Sequence, residues 1–316
     1  MSIIKKVIFI FVLFFSFYVS YGQETPVNPV SFRVFSPFIF NPAIAGSKDF
    51  FSVDLIASSQ AKSYSQILSG NARLLKTAPG YTLSPKVREF ANIGLGGSVF
   101  NDLNGSSRNI GISIAGSYHF QLNKNALSFL SVGISVKGIY NQYAGDTDLG
   151  KPEETSMFPN FDIGLYYYDP NFFAGVSATN LLGNPGDPDS LGNYTIPLSR
   201  QYFFLAGYKF VISRPLNIVL EPSVIVTTDD SLSQKITDMI EPALKVYFGN
   251  FCLGTYFKDY SKIPFFFQYK YPRFYVGTFF ELPRHTPFYK KGITAELAIG
   301  INLSGNNMGF KRNGHW

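Results

Sequence analysis

From residue 50 onward the chain alternates apolar and small side chains with a period of two, in segments of about ten residues divided by turn residues. The clearest segment places Ile110, Ile112, Ile114, Gly116, Tyr118 and Phe120 on one face and Gly111, Ser113, Ala115, Ser117, His119 and Gln121 on the other. Near the end of the chain Ile293, Ala295, Leu297, Ile299, Ile301 and Leu303 alternate with Thr294, Glu296, Ala298, Gly300 and Asn302, and Leu130, Val132, Ile134 and Val136 alternate with Ser131, Gly133, Ser135 and Lys137. Successive strand side chains point to opposite faces, so this is the period of half-buried strands. A soluble sandwich would show water long charged side chains on its polar face. Here that face carries Gly, Ser, Ala, Thr and Asn, and only 15% of the chain is charged against roughly 25% in an ordinary domain. An apolar outside, a small or polar inside and aromatic residues near segment ends are the pattern of a transmembrane β-barrel. Tyr118, Tyr140, Tyr166, Tyr208, Tyr247, Tyr256 and Tyr271 fall near segment ends, as girdle residues would. A secreted lectin-like sandwich is the alternative.

Fourteen strands are predicted, at 50–61, 65–76, 91–101, 108–121, 126–141, 160–169, 172–182, 200–212, 216–228, 234–248, 251–257, 265–270, 274–280 and 292–303. Outer-membrane barrels place short turns in the periplasm and longer loops outside. Counting from a periplasmic N-terminus, the even-numbered connections 122–125, 169–171, 213–215, 249–250 and 271–273 are short, while 142–159, 183–199 and 281–291 are long; only 77–90 breaks the alternation. The fold expected is therefore all-β, a transmembrane antiparallel β-barrel of about 14 strands with N- and C-termini periplasmic. Ile112, Ile114, Leu297 and Ile299 should face lipid. Ser113 should face the lumen, where an arginine ought to be tolerated.

Lys5 and Lys6 precede an apolar run from Val7 to Val19 and then Ser20-Tyr21-Gly22. This is the charged, apolar and small-residue sequence of a secretory signal peptide, and the run is too short to cross a bilayer as a helix. The organisation read is a signal peptide over 1–22, an N-terminal periplasmic segment over 23–49, a barrel over 50–303 and a tail over 304–316. Gln23, not a cysteine, follows the cleavage site, so no lipid anchor is expected there. The one cysteine, Cys252, allows neither an intrachain disulfide nor a multi-cysteine zinc site.

Phe35 to Ser47 reads FSPFIFNPAIAGS, and further along come Ile93-Gly94-Leu95-Gly96-Gly97, Asn101-Asp102, Phe161 to Tyr167, Phe173 to Leu181 and Glu221-Pro222-Ser223. In order and spacing these resemble the PorP/SprF family, outer-membrane proteins of the Bacteroidetes type IX secretion system. Two departures stand out: Ala57-Ser58-Ser59-Gln60 lies where members often carry Arg and Trp, and the chain continues past its last strand. The family-like positions are Asn41, Pro42, Ala43, Gly46 and Ser47. Asn41-Pro42 fixes a backbone dihedral and Gly46 permits a turn. The segment either feeds the chain into the first strand or packs into the periplasmic mouth of the barrel. The resemblance implies a non-enzymatic component that helps partner adhesins with a type B C-terminal sorting domain reach the surface and stay there, in some cases for gliding motility. Its implied partners are that C-terminal domain, periplasmic secretion and motility machinery, and outer-membrane lipid.

Motifs of chemistry are sparse. Gly94 to Gly97 lies in a strand with no helix after it, which fails the phosphate-loop fingerprint; glycine there thins the wall facing the lumen. His119, His285 and His315 have no second ligand at metal spacing. A barrel lipase would need Ser and His beside lipid, whereas His119 falls on the polar face. The formal charge of +6, two of it in the leader, is spread without a basic cluster, so no nucleic acid is expected. No cofactor and no metal site are expected. Lys209, Glu221, Glu241 and Lys245 fall on inward faces of neighbouring strands, where they would form one charge network stiffening the wall. Asp146, Asp148, Glu153, Glu154, Asp187, Asp189, Asp229 and Asp230 make the outer loops acidic without a full calcium-loop pattern. A channel or transporter for small or apolar solutes is the alternative function.

Overall fold

The computed structural model describes residues 30–48, 50–60, 63–75, 90–104, 107–123, 126–143, 154–183, 200–230, 239–257, 262–270, 273–284 and 294–303. Fifteen strand segments follow in chain order: β1 (Phe51–Gln60), β2 (Ser63–Leu75), β3 (Phe90–Asn104), β4 (Ser107–Asn123), β5 (Ser128–Tyr143), β6 (Glu154–Tyr168), β7 (Phe172–Thr179), β8 (Gln201–Tyr208), β9 (Phe210–Ser213), β10 (Ile218–Asp229), β11 (Ile240–Phe248), β12 (Phe251–Tyr256), β13 (Lys262–Lys270), β14 (Phe274–Pro283) and β15 (Thr294–Leu303). All pairings are antiparallel. β8 and β9 both pair with β10 and are parted only by Lys209, so they are two halves of one stave. β15 pairs with β1 and β10 with β11, which closes the sheet into a fourteen-stave barrel with no free edge.

The alternation sorts the side chains as expected. Ile112, Ile114, Leu297 and Ile299 are 56%, 65%, 45% and 44% exposed on the outer face, while Ser113, between the first two, and Ser117 further along β4 are buried. A ring of Phe120, Phe172, Phe210, Phe248, Phe251 and Phe274 lies exposed at the short-turn end, and Tyr118, Tyr140 and Tyr208 face outward as read. Tyr166, Tyr247 and Tyr256 do not belong to a girdle. Each shares the parity of the inward positions of its strand and packs inside: Tyr166 stacks on Tyr168 at 5.4 Å, Tyr247 donates to Glu221, and Tyr256 lies under the Lys245 ammonium. Tyr271 lies outside the described residues.

Strand limits differ mainly around β6 and β7. β6 starts at Glu154 because it pairs with β5 along its whole length. β7 stops at Thr179 because Asn180 adopts a left-handed φ of 58° and the next amides turn back, Leu181 N–H to the Phe161 carbonyl and Leu182 N–H to Asn160 Oδ1. The leader, most of 77–90, the cores of the long connections (144–153, 184–199 and 285–293) with their acidic residues from Asp146 to Glu153 and Asp187 to Asp189, His285, His315 and the tail after Leu303 all lie outside the described residues.

Among the described residues, side chains of the N-terminal segment and the strands pack together inside the barrel. One cluster joins Ile56, Ile67, Val219, Ala243, Phe266, Tyr275, Phe279 and Ala298 around Phe35, and another joins Ala115 to Phe38, Ile44 and Ala45. Ser113, 8% exposed and bonded to Ser98 at 2.6 Å, therefore has no room for the arginine that an open lumen would accept.

Candidate functional site

The segment read from sequence as periplasmic, 23–49, is lodged inside the barrel over its described part. Helix α1 (Val30–Phe35) is followed by two 3-10 turns, Pro37–Ile39 and Pro42–Ile44. Each proline opens a turn, where its missing N–H costs nothing and its fixed φ fits. The residue before proline is driven to extended backbone, and Asn41 stands at φ −135°, ψ 101°. From there its side chain satisfies three groups. Oδ1 accepts from Ala43 N–H at 3.0 Å, and Nδ2 donates to the carbonyls of Leu165 (3.0 Å, β6) and Val176 (3.3 Å, β7). The family-like motif is thus both a capped turn and a clamp on the wall.

Three further carbonyls of this plug are met by strand side chains. Ser177 Oγ donates to the Phe40 carbonyl at 2.7 Å, Ser131 Oγ to that of Ala43 at 2.6 Å, and Ser117 Oγ to that of Ala45 at 2.6 Å. His119 Nε2–H also donates to the Ala45 carbonyl (2.9 Å), which leaves Nδ1 to accept from the Tyr168 hydroxyl (3.0 Å). His119 is completely buried beside the plug, away from lipid. Every one of these bonds is made in an interior where an unpaired carbonyl would cost about 1–3 kcal/mol.

The wall is thinned where the plug touches it. Cross-strand pairing lines up Gly94, Ser117, Gly133, Gly164 and Ser177 in one inward row across β3 to β7. A Cβ at Gly133 would stand 2.3 Å from backbone atoms of Pro42 and Ala43, and one at Gly164 would strike the Asn41 amide. Gly46, at φ +67°, packs backbone to backbone on Gly94 and returns the chain toward β1. Ser47 closes the turn, its N–H bonded to the Ile44 carbonyl at 2.9 Å.

On the opposite side the plug is held by its side chains. Arg33 forms a salt bridge with Glu241 of β11, lies 5.6 Å from the Phe40 ring centroid and feels the charge of Glu296 of β15. Burial pushes its guanidinium down to about 10, opposed by Glu296, so it stays charged at neutral pH. Phe35 stacks on Tyr275 at 4.9 Å, in space left by Gly277. Ser36 bonds to Asp54 at 3.3 Å and to Ser69 at 2.6 Å.

The expected four-member charge network divides. Lys245 and Glu221 meet at 2.8 Å, with Tyr247 donating to the second Glu221 oxygen at 3.2 Å and Lys209 within their field. Glu241 takes Arg33 of the plug instead, because it lies two inward positions from Lys245, with Ala243 between them. Further inward polar residues that the sequence reading did not single out are Asp162, which receives Ser135 at 2.6 Å and Lys137 at 2.8 Å, and Lys262 paired with Glu281 at 2.9 Å. A void of about 50 Å³ between Arg33, Phe40, Asn41 and the wall at Phe203 and Ile225 remains. Among the described residues no group of three or more His, Cys, Asp or Glu side chains is placed to hold a metal ion.

A closed antiparallel barrel with an apolar belt, an aromatic ring and an internally folded N-terminal plug defines an outer-membrane β-barrel protein. Its sequence profile match extends over residues 27–301, plug and staves together, and the chain belongs to the PorP/SprF family of type IX secretion system membrane proteins. No curated protein matches it. Similar solved structures include Omp33 of Acinetobacter baumannii (12% identity, 82% of this chain and 99% of that one, TM-score 0.41). They also include the KdgM porin (11%, 81% and 99%, 0.37) and the NanC porin (8%, 80% and 98%, 0.37).

Proposed function

We propose that this outer-membrane protein is a non-enzymatic scaffold of type IX secretion that assists export of partner adhesins with a type B C-terminal sorting domain and retains them at the surface, with a link to gliding motility where the adhesin is a motility adhesin. The observation that carries the reading is the seated plug. Thirteen consecutive residues, Phe35 to Ser47, are committed to bonds and contacts inside the barrel, so the lumen serves stiffness and not passage. A rigid barrel with long connections on one rim is a scaffold on which binding residues concentrate in loops. In this reading the short turns face the periplasm and the secretion and motility machinery, and the long connections face outward and grip the adhesin's C-terminal domain.

The test is deletion of 184–197, between β7 and β8. The shortened protein should insert and show normal heat-modifiable mobility, while adhesin retention at the cell surface is lost. Retention that survives this deletion and equivalent cuts in 144–153 and 285–293 would overturn the reading. Planar-bilayer recording separates the channel alternative: the seated plug leads to no stable conductance, and a steady ohmic current would favour the channel.

A further inference from the structure

Every junction between neighbouring staves joins strands consecutive in the chain except one, β1 on β15, which is made over nine residue pairs. In a hairpin the turn fixes the register, and this seam has no turn. Its lipid face does not fix the register either. Val53, Leu55 and Ala57 lie opposite Ile301, Ile299 and Leu297, and a slip of two residues keeps all of these side chains on the outside. The register must therefore come from the inner face.

That face carries a contact that the native register alone allows. Tyr275 of β14, Gly300 of β15, Asp54 of β1 and Ser69 of β2 stand in one inward row. The Tyr275 ring lies across β15 in the space that Gly300 leaves, where a Cβ would stand 2.2 Å from the ring. Its hydroxyl donates to Asp54 Oδ1 on the far side of the seam. A two-residue slip would move Asp54 by about 7 Å, at roughly 3.4 Å per residue. It would then face Ala298 or Asn302, out of reach of the Tyr275 hydroxyl. The plug bears on the same contact from within. Phe35 stacks on the Tyr275 ring at 4.9 Å, and Ser36 Oγ donates to Asp54 Oδ2 at 3.3 Å and lies 2.6 Å from Ser69 Oγ. Ser36, Asp54 and Tyr275 are all buried.

We propose that Phe35 and Ser36 of the plug, with Tyr275, Gly300 and Asp54, form a clasp that sets the register in which the last strand closes on the first, so that the barrel closes correctly only around a seated plug. Two consecutive plug residues touch both ends of a bond that spans the last two strands and the first. The plug's main chain is held elsewhere, on β4 to β7. A seated plug therefore presents Phe35 and Ser36 to the seam as a fixed template. In a slipped seam the Asp54 carboxylate would be buried without the Tyr275 donor, which is costly in an interior. The clasp stands apart from the scaffold reading, and its test involves no adhesin.

The experiment reads the register with cysteines on the lipid face of the full-length protein, in a Cys252→Ser background. Leu55→Cys/Ile299→Cys reports the native seam, because these positions are partners and both face outward, at a Cα spacing that a disulfide spans. Leu55→Cys/Leu297→Cys and Leu55→Cys/Ile301→Cys report the two slips. With the clasp intact, the native pair alone should cross-link in outer membranes. Tyr275→Phe should raise the slipped-to-native ratio about tenfold, as expected for loss of one hydrogen bond to a carboxylate. Phe35→Ala/Ser36→Ala, which alters no residue of the wall, should do the same. Ser135→Ala removes a like bond to Asp162 away from the seam and should leave the ratio as in wild type. Ile114→Cys/Val136→Cys, across the β4–β5 hairpin, should cross-link in every variant. If Tyr275→Phe does not insert because Asp54 is left short of donors, Asp54→Asn/Tyr275→Phe removes that charge and should insert with mixed register. Purely native cross-linking in the inserted clasp variants, or an equal rise in Ser135→Ala, would overturn the proposal. Native register in Phe35→Ala/Ser36→Ala beside slips in Tyr275→Phe would overturn the plug's part in it.

Discussion

Two sectors of the same wall hold the plug by different chemistry. Across β3 to β7 the inward row is Gly94, Ser117, Gly133, Gly164 and Ser177. Across β11 to β15 and onto β1 the corresponding row is Lys245, Gly254, Phe266, Phe279, Glu296 and Ser58. The first sector offers hydroxyls and bare backbone, so it grips the plug's main chain at Phe40, Ala43 and Ala45. The second offers rings and carboxylates, so it grips the plug's side chains at Arg33 and Phe35. The difference teaches which changes each sector should resist. Main-chain contacts are lost when the wall grows a side chain, and side-chain contacts are lost when the plug or its ionic partner is truncated.

The largest effect is expected on the side-chain sector. Arg33→Met leaves Glu241 and Glu296 buried without their cation, a loss of roughly 3–5 kcal/mol for a fully buried pair. It should lower the urea midpoint of the heat-modifiable band and expose residues near 33 to protease. Arg33→Met/Glu241→Gln should recover part of this, because the uncompensated charge next to the void is gone. A double variant no better than the single one would remove the ionic grip from the comparison.

Outside the barrel the two sectors should not differ. Ile114→Arg on β4 and Ile299→Arg on β15 both place a cation on the lipid face, at about 2–4 kcal/mol near the midplane. Equal destabilisation in refolding titrations locates the contrast in the lumen; a clear inequality would show that the wall itself differs in stiffness.

Overpacking tests the main-chain sector. Gly133→Val drives its side chain into the Pro42–Ala43 backbone, which has no rotamer to yield. Strain of this kind costs about 1–3 kcal/mol, and the plug can escape it by leaving, so protease should cut within 36–47 while the strands stay protected. Gly116→Ala is the matched control: its Cβ would meet nothing within 4 Å, and no change in either readout is expected.

These contrasts follow what a sequence displays locally and what only the folded register brings together. Period-two alternation reports pleat and face directly, so the staves and the lipid face of Ile112 to Ile114 were legible. Glu221–Lys245 was legible for the same reason, since register puts them opposite one another on neighbouring strands. Glu241 was misassigned because its partner, Arg33, lies far along the chain on an element with no period to read. The turn chemistry of Asn41-Pro42 and Gly46 was readable locally, but its position inside the lumen was not. The signal existed as the Gly–Ser row, yet a row across strands appears only once each register is known. Tyr166, Tyr247 and Tyr256 lie near strand ends, as girdle residues do, but parity and not closeness to an end decides that they face inward.

The smallest effect is the most discriminating. Ser131→Ala removes a 2.6 Å bond to the Ala43 carbonyl, and Ser177→Ala a 2.7 Å bond to that of Phe40. Neither creates a large void, so the loss at each is that of one hydrogen bond plus an unsatisfied buried acceptor, about 1 kcal/mol. The two carbonyls sit on either side of Asn41, whose Nδ2 holds the same stretch to Leu165 and Val176. If the main chain is gripped as one unit, the double variant should lose more than the sum of the singles, because weakening both flanks lets the Asn41 clamp open. Amide hydrogen exchange at Ala43 to Ser47 reads this directly: modest acceleration in each single variant and a disproportionate rise in the double. Strictly additive exchange would mean that each serine acts alone, and the Gly–Ser row would then be a set of independent contacts and not a seat.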